Sequence, residues 1–147
     1  MFYFAYGSNL DFEQMHNRCP SAVTIAMAIL PEHRLAFTRF SEARNGGVAD
    51  IVPAQVDHVQ GALYDITDDD AVRLDGFEGV SDGCYERITV KITLRAGEVL
   101  EAYTYKASEQ GLFKPSKAYM QQIITGARYH QLDSTYIAML EALETAD

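Results

Sequence analysis

The chain has 147 residues, of which 48% are hydrophobic and 22% charged, with a formal net charge of -9. That length supports one well-buried core and hence a single domain over residues 1–147, and the composition excludes a disordered chain, a collagen-like repeat or a coiled coil. The acidic balance, with Lys and Arg scattered rather than gathered, argues against a nucleic-acid partner and leaves small molecules as the expected ligands.

Phe2 to Tyr6 reads as a strand and Gly7 to Asn9 as its exit. Asp11, with Gln14 three residues on, has capping-box spacing and predicts a short helix to about Arg18, ended by Cys19-Pro20. Ala22 to Pro31 predicts a buried strand, β-branched in its first half, with Leu35 to Phe40 as its antiparallel neighbour. Glu42 to Gly47 is polar and predicts a loop. Val48 to Val52 predicts a strand stopped by Pro53, and Val59 to Ile66 another, in which Gly61 marks a bulge or a close backbone contact. Thr67 and Asp70 repeat the capping-box spacing and predict a helix over Asp68 to Asp75, with Glu78 just beyond it between Phe77 and Gly79.

Strict alternation follows from Glu86 to Arg95, with Ile88, Val90, Ile92 and Leu94 on one face. Ala96-Gly97 predicts a hairpin tip and Val99 to Ala107 the returning strand. After a loop at Ser108 to Lys114 the period changes. Pro115-Ser116 suits a helix start, with Tyr119, Ile123, Ile124 and Ala127 as its apolar stripe, and Leu132, Tyr136, Ile137, Leu140 and Leu143 form a second stripe. Strands first and two helices last predict an α+β domain with a twisted or barrel-like antiparallel sheet rather than a doubly wound parallel one.

Several chemistries lack their signatures. There is no Walker-type phosphate loop, dinucleotide-binding glycine fingerprint, HExxH helix or GxSxG elbow. His16, His33, His58 and His130 have no metal-ligand spacing, so neither a metal nor a cofactor is expected. Cys19 and Cys84 form neither a CxxC pair nor a disulfide framework and are expected to be ordinary thiols. No segment approaches the roughly 18 apolar residues of a transmembrane helix and no signal-peptide pattern opens the chain, so a cytoplasmic protein without a membrane partner is expected. The apolar residues suit either a monomer that consumes them in one core or a homodimer paired through a sheet edge or helix face.

Two elements remain as candidates for chemistry: the turn at Tyr6, Gly7, Ser8, Asn9 and Leu10, and the acidic element Leu74 to Gly79, LDGFEG. Taken singly, each has a plain structural use. A carboxylate ordinarily sits in solvent, and Gly7 with Ser8 or Asn9 serves as a strand exit and helix cap. In a functional setting, the turn's successive amides cradle a carboxylate or a developing oxyanion, while Phe77 and the flanking glycines provide an apolar pocket that holds Glu78 as a general base.

At these elements the sequence resembles the γ-glutamylcyclotransferase family. FYFAYGSNL is similar to the family's YGSNL turn, and Cys19-Pro20-Ser21-Ala22, Gly46 to Ile51, Val59 to Tyr64, LDGFEG, Gly83-Cys84-Tyr85 and the tail from Pro115 to Glu144 follow in the family's order. The resemblance implies a β-barrel-like sheet with helices packed around it. It also implies conversion of a γ-glutamyl derivative into 5-oxoproline with release of the amine it carried. Glu78 then falls on the catalytic glutamate, Tyr6, Gly7, Ser8, Asn9 and Leu10 on the substrate-binding loop, and Tyr85 on a tyrosine near the site. Glu78 would take the proton of the substrate's α-ammonium as its nitrogen closes on the γ-carbonyl, and return it to the departing amine. Arg44 and Arg87 are either compensating charges for substrate or solvated surface groups.

The loop Ser108 to Lys114 departs from the family pattern, which leaves open the leaving amine: an amino acid first, with glutathione, a γ-glutamyl amine or a γ-glutamyl-acylated intermediate as alternatives. A non-catalytic small-molecule-binding module on the same fold is the reading of a different class.

Overall fold

In a computed structural model covering residues 1–147, five strands close into a barrel in the order β1-β3-β2-β4-β5. They are β1 (Phe2–Ala5), β2 (Val23–Ser41), β3 (Gly46–Asp65), β4 (Tyr85–Leu94) and β5 (Val99–Ala107). The helices are α1 (Phe12–Arg18), α2 (Asp68–Phe77), α3 (Lys117–Tyr129) and α4 (Ser134–Ala142). Strand β1 seals the barrel, running antiparallel to β3 and parallel to β5, where Tyr3 stands opposite Tyr103. The α+β class and the barrel-like sheet are as the order of elements predicts.

The strand count differs from the sequence reading. Leu35 to Phe40 is not the neighbour of Ala22 to Pro31 but its continuation, and Pro53 does not stop a strand. β2 and β3 are single strands of 19 and 20 residues forming one long hairpin. Its register shifts between Thr24 and Ala26, Pro31 and His33, and Phe37 and Arg39. Pro31 and Pro53 both lie at the middle shift, and Glu32 between them has a positive φ of 61°. A proline lacks the N–H that a ladder requires, so the two are accommodated where the ladder is already interrupted, and the bulges bend the hairpin around the barrel.

Elsewhere local chemistry acts as read. Thr67 and Asp70 form a reciprocal capping box at the start of α2, which extends to Phe77. Ser116 caps α3 through the Tyr119 N–H. Gly61 lies under β1, where a Cβ would collide with the Ala5 carbonyl oxygen and press on the Phe4 ring; it marks a close backbone approach and no register shift occurs there. One contiguous core of 33 buried residues draws on all five strands and all four helices.

Candidate active site

The turn after β1 is a single 3-10 turn, Ser8–Leu10, closed by the Leu10 N–H on the Gly7 carbonyl and the Asp11 N–H on Ser8, each at 3.0 Å. The N–H groups of Ser8 and Asn9 have no acceptor in the protein. Gly7, at φ -110°, does not use the left-handed region. Its role is space: a Cβ there would lie 3.3 Å from the Ala49 Cβ and 3.6 Å from the Tyr119 hydroxyl. Helix α1 is capped by Asp11, whose side chain accepts from the Glu13 N–H, so neither Ser8 nor Asn9 is a cap. Gln14 does not complete a capping box. Its amide donates instead to Ser8 Oγ at 2.8 Å and Asn9 Oδ1 at 2.9 Å, tying α1 back onto the turn.

Glu78 arrives from the opposite side. The Gly79 N–H meets the Gly76 carbonyl and the Val80 N–H meets that of Asp75, the paired bonds of a Schellman motif, with Gly79 in the left-handed region at φ 66°. The LDGFEG stretch is thus a helix end that fixes Glu78 at the last position before the chain reverses. Its side chain turns inward and is 18% exposed.

The two elements meet in a recess of about 310 Å³ open to solvent, lined by Tyr6, Gly7, Ser8, Asn9, Glu78 and Tyr85 together with Tyr3, Ala49, Tyr105 and Tyr119. Asn9 Nδ2 donates to the Tyr3 hydroxyl at 2.9 Å and lies 3.4 Å from Glu78 Oε1, while Asn9 Oδ1 accepts from Arg18 Nη1 at 3.1 Å. Tyr85 and Tyr119 grip one residue of β3: the Tyr85 hydroxyl donates to the Ala49 carbonyl at 2.7 Å, and the Ala49 N–H donates to the Tyr119 hydroxyl at 2.9 Å. Tyr105 donates to Asp75 Oδ1 at 2.8 Å, and Arg87 holds the same carboxylate through Nε and Nη2 at 2.8 and 2.6 Å.

Burial dominates the electrostatics of Glu78 and pushes its carboxyl up to about 7. Arg18 and Arg44 oppose that shift and Asp75 reinforces it. Arg18 is a loose partner, 3.9 Å from Glu78 Oε1, because its guanidinium is also bonded to Asn9 and lies 4.6 Å above the Phe77 ring. Burial raises the phenols of Tyr3, Tyr6, Tyr85 and Tyr119 as well, so these walls present neutral hydroxyls.

Two expectations, for Leu10 and for Phe77, are corrected by this geometry, and the loop whose role the sequence left open is placed. Leu10 does not face the recess. It is fully buried beneath α3, where Gly126 packs so closely that a Cβ would collide with the Leu10 carbonyl. Phe77 does not cover Glu78: the residue is 57% exposed and the desolvating wall is tyrosine. The loop at 108–114 lines neither this recess nor the cleft beside it. It runs along β2, with the Gln110 N–H on the Thr38 carbonyl at 2.7 Å and the Phe113 N–H on Phe37 at 2.9 Å.

Of the two arginines left open, Arg44 reaches the turn, donating to Gln14 and Gln122 at 2.8 and 2.7 Å and standing 3.4 Å from Ser8 Oγ. Arg87 serves Asp75. Sequence reasoning passed over Tyr3, Arg18 and Ala49 at the site, and read Tyr119 only as core. Tyr119 occupies a helical stripe position, where an aromatic that packs and one whose hydroxyl faces a cavity look alike.

Residues 58–140 match the AIG2-like family. Over 146 residues the chain is 36% identical to a γ-glutamylcyclotransferase of Mus musculus, covering 97% of this chain and 78% of the mouse protein. Across 149 aligned positions it is 34% identical to that of Homo sapiens, covering 99% of this chain and 79% of the human protein. Among solved structures, a γ-glutamyl cyclotransferase superposes with a TM-score of 0.97 at 32% identity, covering 100% of this chain and 89% of that one. A crystallised Homo sapiens protein gives 0.95 at 33%, covering 99% and 89%. By both sequence and structure, the chain belongs to the AIG2-like, γ-glutamylcyclotransferase family.

Proposed function

We propose that the protein converts γ-glutamyl amino acids into 5-oxoproline and a free amino acid by intramolecular aminolysis, with Glu78 as the general base. The observation that carries this reading is a single carboxylate, largely buried and poised near neutrality, facing two unpartnered amides of the Ser8–Asn9 turn across one small recess.

The substrate's α-nitrogen forms a bond to the γ-carbonyl carbon, and the bond from that carbon to the leaving nitrogen breaks. The α-ammonium must first lose a proton. Glu78 accepts it and then delivers it to the departing amine, so one group serves both transfers. A carboxylate titrating near the working pH suits both roles, since it is a stronger base than an exposed glutamate and is still partly ionised.

No external nucleophile is needed, because both reacting groups belong to one molecule. Holding them face to face draws on a proximity effect whose general ceiling is about 7 to 11 kcal/mol. The free N–H groups of Ser8 and Asn9 are suited to negative charge, either on the substrate's α-carboxylate or on the γ-carbonyl oxygen as the ring closes. The neutral hydroxyls of Tyr3, Tyr85 and Tyr119 surround that position without adding charge.

The test is direct. Incubation of the purified protein with γ-glutamyl amino acids, with 5-oxoproline detected by mass spectrometry, is expected to show catalytic turnover. Tight binding of the same compounds with no product over many hours would favour a binding module instead.

A further inference from the structure

Beside the recess, and sharing Ser8, Glu78, Tyr85 and Tyr119 with it, lies a larger cleft of about 740 Å³. Three guanidinium groups line this cleft, those of Arg18, Arg39 and Arg44, and Glu78 is its only acid. In a chain of net charge -9, so cationic a cleft selects for negative charge in its occupant.

Two of the three arginines are committed to the protein. Arg18 is bonded to Asn9 and lies over Phe77, and Arg44 is held by Gln14 and Gln122 over the Tyr119 ring. Arg39 is not. Its Nη1 donates to the Ser108 carbonyl at 3.1 Å, its Nη2 meets Cys84 Sγ at 3.5 Å, and it forms no ion pair. A guanidinium carries five N–H donors, so most of its capacity remains for a ligand.

Its position is fixed on both sides. The register shift between Phe37 and Arg39 leaves Thr38 buried, with its hydroxyl on Asp50 at 2.8 Å. The 108–114 segment bonds the Phe37 and Thr38 carbonyls from outside. A bulge of this kind re-aims the next side chain, here toward the cleft.

The shared rim of Ser8, Glu78, Tyr85 and Tyr119 joins this cleft to the recess that holds the Glu78 carboxylate and the Ser8–Asn9 turn. We infer that Arg39 is a specificity-determining residue that binds a carboxylate on the leaving amine, so that γ-glutamyl derivatives of amino acids are preferred to those of neutral or cationic amines. This rests on the ring-closing reading and assigns its leaving-group side.

The test uses a matched pair, γ-glutamylalanine and γ-glutamylethylamine, which differ only in that carboxylate. For the wild-type protein the ratio of kcat/KM is expected to favour the alanine derivative by about ten- to a hundredfold, the range of one charge-assisted hydrogen-bonded contact. Arg39→Gln is expected to collapse the ratio toward one, mainly through KM for γ-glutamylalanine, and Arg39→Lys to restore part of it. A ratio unchanged in a folded Arg39→Gln protein overturns the assignment.

If the wild type turns over neither compound, the ring-closing reading fails, and the same comparison is made on dissociation constants by calorimetry. Selective loss of γ-glutamylalanine affinity in Arg39→Gln then supports the Arg39 contact. Equal affinities for the pair, or no binding of either, overturn it.

Discussion

Asn9 and Glu78 stand 69 residues apart in the chain and meet at 3.4 Å between Nδ2 and Oε1. This contact joins the turn leaving β1 to the C-terminus of α2, the two elements on which the proposed chemistry depends. The same amide donates to Tyr3 and its oxygen accepts from Gln14 and Arg18, so the Asn9 side chain is spent on positioning and the turn's free backbone amides remain for a ligand.

A buried carboxylate carries a stability cost that depends on pH. Glutamate ordinarily ionises near 4.5, and Glu78 in the folded protein near 7. Between those values the folded state keeps a proton that the unfolded chain has released, so this group's contribution makes stability fall as pH rises from about 4.5 to about 7 and level off above. Glu78→Gln removes that penalty. Relative to wild type, the variant is expected to gain roughly 2 to 3 kcal/mol between pH 4.5 and pH 8, measured by urea melts at each pH. An unchanged difference would mean that Glu78 is not desolvated in solution.

The same shift sets the pH dependence of turnover. A base must be ionised to act, so kcat/KM is expected to fall on the acid side with a midpoint near 7 rather than near 4.5. In the complex the substrate's ammonium lies against the carboxylate and favours its ionised form, which moves the corresponding limb of kcat to lower pH. Coincident limbs near 4.5 would remove the tuning while leaving the geometry.

Asp75 tunes Glu78 from behind. Its negative charge raises the Glu78 pKa, and it is held by Arg87 and Tyr105. Asp75→Asn removes that charge and leaves the Arg87 cation uncompensated, so the acid limb of kcat/KM is expected to move below its wild-type position. A limb that stays in place or rises would contradict the coupling.

Gly126 links the helical layer to the turn. Helix propensity alone favours alanine over glycine by about 1 kcal/mol. A Cβ at this position collides with the Leu10 backbone, which neither a rotamer change nor a flexible neighbour relieves. Gly126→Ala is therefore expected to destabilise by about 3 kcal/mol, the upper part of the range for overpacking, and to lower turnover by shifting the Ser8–Asn9 amides. Denaturant melts and product assays on the same sample check both effects.

Much of this architecture is written locally. Thr67 and Asp70 mark the start of α2 through a bond pattern that involves four residues, and the alternation from Ile88 to Leu94 marks β4, so neighbours alone suffice. The long hairpin is not written that way. Pro31 and Pro53 are strand breakers in isolation, and only their placement on either side of one bulge lets β2 and β3 run through them.

The site divides in the same manner. Glu78 and Tyr6 to Asn9 are legible because motif and resemblance coincide there. Leu10 belongs to the same motif and is core, since a family signature preserves packing and chemistry together. The wall around Glu78 comes from Tyr3, Tyr85 and Tyr119 on three separate elements, and no local pattern announces that convergence. Gln14 had capping-box spacing, but the turn behind it offers Ser8 and Asn9 as partners and these outcompete the cap.

The central claim is that the Glu78 carboxylate moves the proton in ring closure. The most direct measurement compares 5-oxoproline formation from a γ-glutamyl amino acid by wild type and Glu78→Gln, with circular-dichroism melts confirming that both are folded. The amide keeps the shape and loses the base, so product formation is expected to fall by at least about a hundredfold, within the range for removing a general base. Wild-type turnover by the folded Glu78→Gln protein would contradict the account.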